Sequence, residues 1–540
     1  MMKTVAGTVL AGILGVLAYV YSFYFRKPRQ LRRKMELQGV KGPLPSTNPL
    51  LGNIPEINRI RLHKANSKPK FSLHNHGATA GGRPDIDHDW PSFVLPHIRQ
   101  WLKEYGSTFV YSTGTIHFLC TTDTEMVKEI SHFKSLSLGR PTYLSRDFGP
   151  LFGQGIIASS GAIWAHQRKI IAPQFYADKV KSMVTLMVES TNSLIASWGA
   201  AIDRCDGGVA DVNTDKDMRS LSADAISRAC FGSNYKEGEH IFSKVRELQI
   251  VLARGHAGIP ILRHLPTSKN REVWKLEKEI NTMILDVVKQ RAADSSPDSE
   301  KDLLQMILEG AKDASNNSTS ANVVTSLDKF IVDNCKAIYF AGQDTTAISA
   351  SWALMLLAAH PEWQSRARDE AMQLCTRDKV PDVRALQNMK VITMVIQETL
   401  RLYPPGVYVT REALEDIKFK HITIPKGMNV QVPISIVQQD PELWGPDAHL
   451  FNPERFAGGV LGATNTTAGG GGQAAYIPFG VGSRVCVGQH FAMMELKVIL
   501  SLLLLNFSFA ISPSYVHSPG FALVVQPAHG VSLLIERVTP

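Results

Sequence analysis

One stretch of the sequence constrains the fold more than any other: an apolar helical pattern that runs from about Thr325 to Ala359. A helix of this length spans roughly 52 Å at ~1.5 Å per residue, which is about the width of a whole domain. Because it is apolar on most faces, we expect it to pass through the core. Pro361 disfavours helix at the residue before it and so sets the C-terminal end. The pattern therefore predicts a fold organised around one long buried helix.

The remaining patterns predict more helices and a few short strands. The predicted elements are helices at about 361–375 and 384–402, a hairpin at 109–122 with Gly114 in its turn, and short strands within 407–435. The Gly-rich segment 457–473 carries no GxxxxGK[ST] motif, so it is predicted as a surface insertion and not a phosphate-binding loop. The expected fold class is mainly α with small β-sheets.

The N-terminus predicts a membrane anchor. Thr4 to Phe25 is 22 residues without a charge, and as a helix it would span ~33 Å, enough to cross a bilayer core. A cleaved signal peptide is the alternative, but the run is long and no small-residue cleavage site follows it. The basic run Arg26–Lys34 then favours a cytosolic location for the rest of the chain. We therefore expect residues 1–25 to form a lumenal end and a single transmembrane anchor in the endoplasmic reticulum membrane.

The distribution of charge and cysteine narrows the class of protein. The net charge is +9, but six of the positive charges lie within Arg26–Lys34, so no domain-wide basic face and no nucleic-acid partner are expected. The six cysteines are scattered without a CxxC pair, as is typical of a reducing compartment. Residues 26–60 are predicted to be a basic and proline-rich hinge, and residues 61–540 a cytosolic domain.

The loop PFGVGSRVCVGQ, Pro478 to Gln489, carries the chemistry. Its glycines allow the backbone to approach a large flat group closely. Arg484 offers a fork of donors to a carboxylate, and Cys486 lies just before a helix N-terminus, which stabilises a thiolate. An anionic sulfur beside an arginine suits the axial ligand of a haem iron whose propionates need neutralising. A buried structural cysteine is the alternative for Cys486 taken alone.

The whole pattern, Phe479-x-x-Gly482-x-Arg484-x-Cys486-x-Gly488, resembles the haem-binding signature of the cytochrome P450 superfamily at every fixed position. Further motifs of that family occur in the expected order: WAHQR (Trp164–Arg168), AGQDTT (Ala341–Thr346), ETLR (Glu398–Arg401) and PERF (Pro453–Phe456). The resemblance covers essentially the whole chain and implies the cytochrome P450 fold.

The resemblance implies a role for each motif. Cys486 would ligate the iron of haem b. Seven other residues would bind the rest of the cofactor: Phe479, Gly482, Gly488, Trp164, Arg168, Arg411 and Arg484. Glu398 and Arg401 share a helical face and would form a buried structural network with Arg455. Losing one partner of such a network costs ~3–5 kcal/mol.

Asp344 and Thr345 lie midway along the apolar central helix, where polar side chains carry a solvation cost unless paired. One interpretation is a satisfied polar pair in which Thr345 bonds a carbonyl upstream. The other, favoured by the presence of Cys486, is a proton relay in which Thr345 holds dioxygen and Asp344 supplies protons. Gly342 would thin the helix so that oxygen and substrate can approach the iron.

The implied reaction is hydroxylation or epoxidation of a lipophilic substrate with O2 and with electrons from NADPH. No flavin or nicotinamide fingerprint is found, so a separate membrane-bound flavin reductase is the expected partner. By resemblance, the substrate pocket would include Phe340, Ala341, Gly342, Val407, Tyr408 and Val409.

The segments 137–173, 357–364 and 490–497 look like a plant clan that oxidises terpenoids and hormones, and most like its gibberellin-oxidising family. A triterpenoid or other hormone is the alternative substrate. An oxygen-independent isomerase or dehydratase and a non-catalytic membrane haem sensor are the alternative functions. Gln343–Asp344 stands where that family is expected to have His–Glu, but an acid is retained.

Overall fold

The structure is a computed structural model that describes residues 12, 14, 15, 18, 21–48, 50–66, 86–232, 235–253, 265–293, 302–316, 326–375, 381–464 and 472–538. More than half of the predicted anchor, Thr4–Phe25, lies outside these residues, as do residues 465–471 of the Gly-rich segment 457–473. Within the described part of the chain, no helix combines the length and the apolar character that crossing a bilayer requires.

Helices make up most of the described chain, in agreement with the predicted fold class. In the N-terminal half they are α1 Lys27–Glu36, α2 Ile54–Asn66, α3 Pro91–Val94, α4 Pro96–Tyr105, α5 Thr124–His132, α6 Thr142–Asp147, α7 Gly149–Phe152, α8 Gly161–Ile171, α9 Ala177–Ser182, α10 Val184–Asp203, α11 Thr214–Phe231 and α12 Tyr235–Ala253.

The C-terminal half continues with α13 Ser268–Ala293, α14 Leu303–Asn316, α15 Leu327–Ala359, α16 Pro361–Leu374, α17 Val383–Asn388, α18 Val391–Leu402, α19 Ile434–Gln438, α20 Pro441–Trp444, α21 Gly459–Gly462, α22 Gly472–Ala475 and α23 Gln489–Asn506. Short 3-10 or π segments lie at Ser22–Arg26, Ala172–Phe175, Pro453–Phe456 and Gly482–Arg484.

The central helix α15 is where the apolar pattern placed it. It begins after Ser326, whose hydroxyl accepts a hydrogen bond from the Lys329 N–H, and it ends before Pro361. Almost every residue after Thr345 is buried, since α15 packs against α11, α12, α18 and α23. The helix therefore forms the axis around which the other helices are arranged.

The predicted helix at 384–402 is wrong in one respect, because the chain forms two helices there. Met389 is extended (φ −60°, ψ 113°) and ends α17. The carboxylate of Glu370 on α16 then accepts the main-chain N–H groups of Lys390, Val391 and Ile392 at 2.6–2.9 Å. An acid at a helix N-terminus satisfies its free N–H groups and complements its dipole. This carboxylate comes from another helix, so the local pattern could not reveal it.

The strands form four small sheets among the described residues. They are β1 Thr108–Thr113, β2 Ile116–Thr121, β3 Leu138–Gly139, β4 Val209–Asn213, β5 Tyr408–Ala413, β6 Ile417–Phe419, β7 Ile422–Ile424, β8 Asn429–Pro433, β9 Phe507–Ile511, β10 Pro519–Ala522, β11 Val524–Pro527 and β12 Ser532–Arg537. The largest sheet has the order β1-β2-β8-β5-β3, and only its β2–β8 pair is parallel. β4, β12 and β9 form a second sheet, and β6–β7 and β10–β11 are hairpins.

Candidate haem site and active cavity

The cysteine loop is held in shape by its own backbone. The Cys486 N–H donates to the Phe479 carbonyl at 2.8 Å, which closes the loop just before α23 begins at Gln489. Gly480 and Gly482 have φ of +77° and +71°, a region that favours glycine. The loop thus presents Cys486 in a fixed position at the end of a helix.

Cys486 borders a cavity of about 350 Å³ that lies between this loop and the central helix. On the opposite side the cavity is bordered by Ala341, Gly342 and Thr345 of α15. Most of the remaining wall is apolar and includes Ile156, Ile157, Ile171, Phe175, Ile226, Ala337, Ile338, Val409, Ile434, Phe491 and Leu496. The Cys486 thiol therefore shares an apolar cavity with the hydroxyl of Thr345 on the central helix.

Two opposing effects act on the ionisation of the Cys486 thiol. Burial raises the pKa of the Cys486 thiol, while the Gly488 N–H and the guanidinium groups of Arg168 and Arg140 act in the opposite direction. Desolvation disfavours the charged form of any group, and nearby donors and cations favour it. A metal cation next to the sulfur would tip this balance to the thiolate.

Four arginines lie at the edge of the cavity: Arg140, Arg168, Arg411 and Arg484. Within the described residues, no carboxylate lies within 4 Å of any of these guanidinium groups. Burial first, and then the charges of Arg140 and Arg168, lower the pKa of Arg484 to about 9. Burial also lowers the pKa of Arg411, and Arg140 and Arg484 add to that effect. This cationic cluster is costly unless an anion shares the cavity.

Some guanidinium N–H groups of this cluster bond main-chain carbonyls, and others have no hydrogen-bond partner among the described residues. Arg484 donates from Nη1 to the Ser159 carbonyl at 2.9 Å and stacks over the Trp164 ring at 4.2 Å. Its Nη2, like Nε of Arg140, is buried and has no hydrogen-bond partner among the described residues. Arg168 donates to the Val485 carbonyl at 2.8 Å, which ties α8 to the cysteine loop. Unused buried guanidinium donors around an apolar cavity fit the two carboxylates of a haem, and the thiol of Cys486 fits its iron.

The acid of the central helix is held away from the cavity. Asp344 is buried, and its Oδ1 accepts a hydrogen bond from Arg219 of α11. Arg246 lies 3.6 Å from the same oxygen, and Oδ2 has no hydrogen-bond partner within the described part of the chain. Arg219 also bonds Asp215 at 3.2 Å and Gln526 at 2.9 Å. Asp344 does not border the cavity, so a role in proton supply would need it to act through a neighbour.

Thr345 borders the cavity directly, and its hydroxyl donates to the Ala341 carbonyl at 2.7 Å. This is the upstream bond of the first interpretation, and because the hydroxyl has a single proton, holding dioxygen as in the second would require it to rotate away from this carbonyl. Gly342 also borders the cavity, but a Cβ there would lie 2.5 Å from Cγ1 of Ile226. The predicted reason for this glycine was therefore incomplete: it also allows α15 to pack against α11.

The ETLR pair lies in the core, far from solvent. Arg401 and Glu398 are both fully buried and joined by two hydrogen bonds of 2.7 Å. Arg401 also donates to the carbonyls of Gln438, Ala448 and Leu450. Arg455 lies 3.7 Å from Glu398, and its hydrogen bonds go mainly to Asp447, a partner that the motif alone did not indicate.

Three of the residues predicted to bind the cofactor or to line the substrate pocket do not border the cavity. Phe340 turns away from it and packs against Phe152, with ring centroids 5.1 Å apart. Val407 is buried behind Tyr408, which does border the cavity. A Cβ on Gly482 would lie 3.0 Å from the Ser131 carbonyl, so this glycine allows the loop to cross the end of α5. The other predicted cofactor and pocket residues, namely Trp164, Arg168, Ala341, Gly342, Tyr408, Val409, Arg411, Phe479, Arg484 and Gly488, border the cavity.

The sequence reasoning missed one residue that borders the cavity, Arg140, and one buried acid, Glu495, that lies against Thr346 of the cavity wall. Arg140, before Pro141, lies in the segment 137–173, which was compared with the plant clan as a whole and not residue by residue. No carboxylate nearby in the sequence indicated a partner for its charge, although it borders the cavity. Glu495 is fully buried on α23 beside Ser222 and Thr346, and burial raises its pKa to about 8. A single acid in an otherwise apolar helix was the signal that could have found it.

The comparisons with known proteins agree with this geometry. The family model described as cytochrome P450 matches residues 94–534. The chain is 46% identical to Cytochrome P450 714C2 of Oryza sativa subsp. japonica, over 96% of each chain. It is 41% identical to Cytochrome P450 714A2 of Arabidopsis thaliana, over 98% of this chain and 97% of that protein.

A similar solved structure is the crystal structure of the cytochrome P450DA heme domain, with a TM-score of 0.68 and 22% identity over 87% of this chain and 96% of that one. At this identity the likeness concerns the fold alone. The matches in sequence extend over nearly the whole chain, and the resemblance of its motifs is thereby confirmed. The chain belongs to the cytochrome P450 family, whose haem b with an axial cysteine thiolate fits this cavity.

Proposed function

We propose that the chain is a membrane-anchored monooxygenase that hydroxylates or epoxidises a lipophilic plant diterpenoid, such as a gibberellin or its precursor. The observation that carries the reaction is one apolar cavity bordered by the Cys486 thiol and the Thr345 hydroxyl, with guanidinium groups at its edge that have no carboxylate partner among the described residues. That donor set suits a haem-thiolate oxygenase better than an isomerase or a sensor, neither of which needs a hydroxyl facing the cofactor.

When bound, the haem supplies oxygen activation, and an axial thiolate favours O–O cleavage. The residues of the chain supply position and protons. Cys486 is the proposed axial ligand, and Arg140, Arg168, Arg411 and Arg484 are the proposed propionate partners. Charge-assisted bonds from planar guanidinium groups orient a carboxylate precisely. The apolar wall excludes water from the reacting carbon.

Proton supply is assigned to Thr345, with Asp344 as its neighbour. The Thr345 hydroxyl donates its single proton to the Ala341 carbonyl, and its role in proton supply requires it to rotate and donate to an acceptor in the cavity. Asp344 lies one residue away, and its Oδ1 is engaged by Arg219. We propose that Asp344 delivers protons when this ion pair loosens.

The substrate class rests on the apolar wall and on the resemblance. A wall of this composition selects a lipophilic molecule with few polar groups, and a rigid diterpenoid skeleton satisfies that requirement. The sequence likeness to a gibberellin-oxidising plant family narrows the choice. A triterpenoid or another hormone remains the alternative substrate.

The partner and the location are proposed from the sequence. A separate NADPH-dependent flavin reductase would supply the electrons, because no flavin or nicotinamide motif is found in the chain. The uncharged run Thr4–Phe25 and the basic run after it favour a single-pass anchor in the endoplasmic reticulum membrane with the catalytic domain in the cytosol.

Two alanine variants test the reaction class. Cys486→Ala should abolish the thiolate-type Soret band of the reduced, CO-bound protein. Thr345→Ala should keep that band but make NADPH consumption with added reductase run without product. Ser351→Ala is the matched control, because it removes one buried hydroxyl from the same helix away from the cavity. Coupling that survives in Thr345→Ala would contradict the proton role.

Product analysis tests the substrate class. The protein with reductase and NADPH should add one oxygen atom, a mass increase of 16, to at least one gibberellin precursor. Triterpenes and steroids are screened in parallel, and turnover of these alone would replace the diterpenoid proposal. A product isomeric with its substrate, or one that has lost water, would instead favour the oxygen-independent alternatives.

A further inference from the structure

Three polar side chains in the N-terminal third of α15 are buried outside the cavity and take no part in the chemistry above. Asp333, Asn334 and Lys336 are 4%, 0% and 1% exposed. Burying two charges and an amide is costly unless each group is paired. Apart from one another and the main chain of their own helix, their hydrogen-bond partners lie in the loop 150–157, which begins within α7 and ends at the cavity.

The charged pair holds the start of this loop. Lys336 Nζ donates to the Pro150 carbonyl at 3.1 Å and lies 3.2 Å from Oδ1 of Asp333. The other oxygen of Asp333 accepts the Gln154 N–H at 2.8 Å. The two charges are therefore compensated by each other and by the main chain of the loop.

The amide holds the end of the loop next to the cavity. Asn334 Oδ1 accepts the Ile156 N–H at 3.0 Å, and its Nδ2 donates to the Phe330 carbonyl of its own helix at 2.9 Å. The second bond fixes the orientation of the amide. The position of the Ile156 backbone is thus determined by a side chain of the central helix.

Two glycines allow the loop to approach this closely. Gly153 has φ of +50°, and a Cβ there would overlap the Asp333 carboxylate. A Cβ on Gly155 would overlap the main-chain carbonyl oxygen of Asp333. The two glycines of the loop therefore leave the space that the side chain and the main chain of Asp333 occupy.

We propose that Asp333, Asn334 and Lys336 form a clamp that positions the loop 150–157 and so determines which ligand shapes fit beside the cofactor. Ile156 and Ile157, at the end of the clamped segment, border the cavity. A wall whose backbone is anchored to the central helix discriminates between ligands of equal volume and different shape, because it cannot shift to admit the wrong one. The clamp acts on any ligand that enters the cavity beside the haem, whatever the substrate is.

Hydrogen exchange of the wild-type holoenzyme tests the anchoring without any substitution. The amides of Gln154 and Ile156 are bonded to buried side chains, so they should exchange at least about 100-fold more slowly than amides in exposed loops, as expected for a segment that opens rarely. Exchange of both amides at the rate of exposed loops would overturn the clamp.

Titration with azoles tests discrimination. Imidazole reports on access of a small nitrogen ligand to the iron, whereas 1-phenylimidazole and 4-phenylimidazole present one ring to the wall at different angles. Asn334→Leu removes the acceptor for Ile156 at similar volume, and Gly155→Ala pushes the loop away from Asp333. Each should change the ratio of the two phenylimidazole Kd values by about tenfold, equivalent to ~1.4 kcal/mol, and leave the imidazole Kd within about twofold.

Ser351→Ala, on the same helix and equally buried, should leave the ratio unchanged. The reduced, CO-bound spectrum confirms that each variant retains its haem ligation. An unchanged ratio in variants that retain this spectrum would overturn the role in discrimination. A change in all three Kd values by the same factor would do so too, since it would indicate a general loss of structure. If neither variant binds haem, the hydrogen-exchange result decides.

Discussion

Replacing Arg219 with methionine should destabilise the protein, and it should do so through Asp344. The Arg219 side chain is 6% exposed and that of Asp344 is 3% exposed, so the pair is shielded from water. Methionine keeps the apolar stem and removes the charge. Asp344 would keep one cation, Arg246, at 3.6 Å, and its Oδ2 is already without a hydrogen bond within the described residues.

The magnitude follows from these contacts. Removing one partner of a buried ion pair costs ~3–5 kcal/mol, and we expect the lower end because Arg246 still compensates part of the Asp344 charge. The entropy of unfolding is ~2.1 cal/mol/K per residue, or ~1 kcal/mol/K for a chain of 540 residues. The midpoint of thermal unfolding should therefore fall by about 3 °C.

A double-mutant cycle on the ferric holoenzyme is the assay. Asp344→Asn alone leaves Arg219 with Asp215 as its remaining carboxylate partner, whereas the pair Arg219→Met and Asp344→Asn leaves neither charge of the buried pair, so the double variant should be more stable than the sum of the single effects predicts. Arg228→Met on the same helix is the control. Its ion pairs with Glu189 and Asp224 involve an Arg228 side chain that is 28% exposed, so its loss should cost less than the loss of Arg219. Additivity of the two single effects within ~0.5 kcal/mol would refute the coupling.

Three further predictions concern the cofactor, acid stability and helix packing. Arg140→Gln should weaken haem retention about tenfold, the equivalent of ~1.4 kcal/mol. Haem transfer to an acceptor protein measures this loss. Arg366→Gln is the control, since it removes an exposed ion pair and should leave haem retention unchanged. Burial lowers the pKa of His517 to about 4, so the unfolded chain binds a proton below pH ~6.5 that the native state does not. The free energy of unfolding should then fall as the pH falls from ~6.5 towards 4, and His517→Asn should flatten this dependence in denaturant titrations. Gly342→Ala should cost ~1–3 kcal/mol by overpacking, and Ile226→Ala in the same chain should restore part of it; no rescue would contradict the packing role of the glycine.

Elements specified by neighbouring residues could be predicted from the sequence. The central helix, the hairpin around Gly114 and the stop before Pro361 depend on periodicity and on turn or helix-ending residues that lie within the element. The break at Met389 could not be predicted, because its cause is the carboxylate of Glu370, about 20 residues earlier in the chain. A capping group supplied by another helix leaves no trace in the local pattern.

The residues of the site likewise divide into those that the sequence could predict and those that it could not. The motif residues Cys486, Arg484 and Trp164 could be named from their spacing, since a ligand loop and its following helix are contiguous. Arg140 could not be named, because it is distinguished by its place at the cavity and by the lack of a carboxylate near it among the described residues. The partners of Asp344 on α11 and α12 were likewise beyond the reach of the sequence.

The sequence by itself determined the family, the mainly helical class and the motif residues, because these depend on residue type, periodicity and short fixed spacings. Only the tertiary structure decided which of the named residues border the cavity, what holds Asp344, and how the loop 150–157 is anchored to the central helix. Those facts depend on contacts between residues far apart in the chain, 125 positions for Arg219 and Asp344 and 178 for Ile156 and Asn334, and such contacts are set by the packing of whole elements, which no local pattern records.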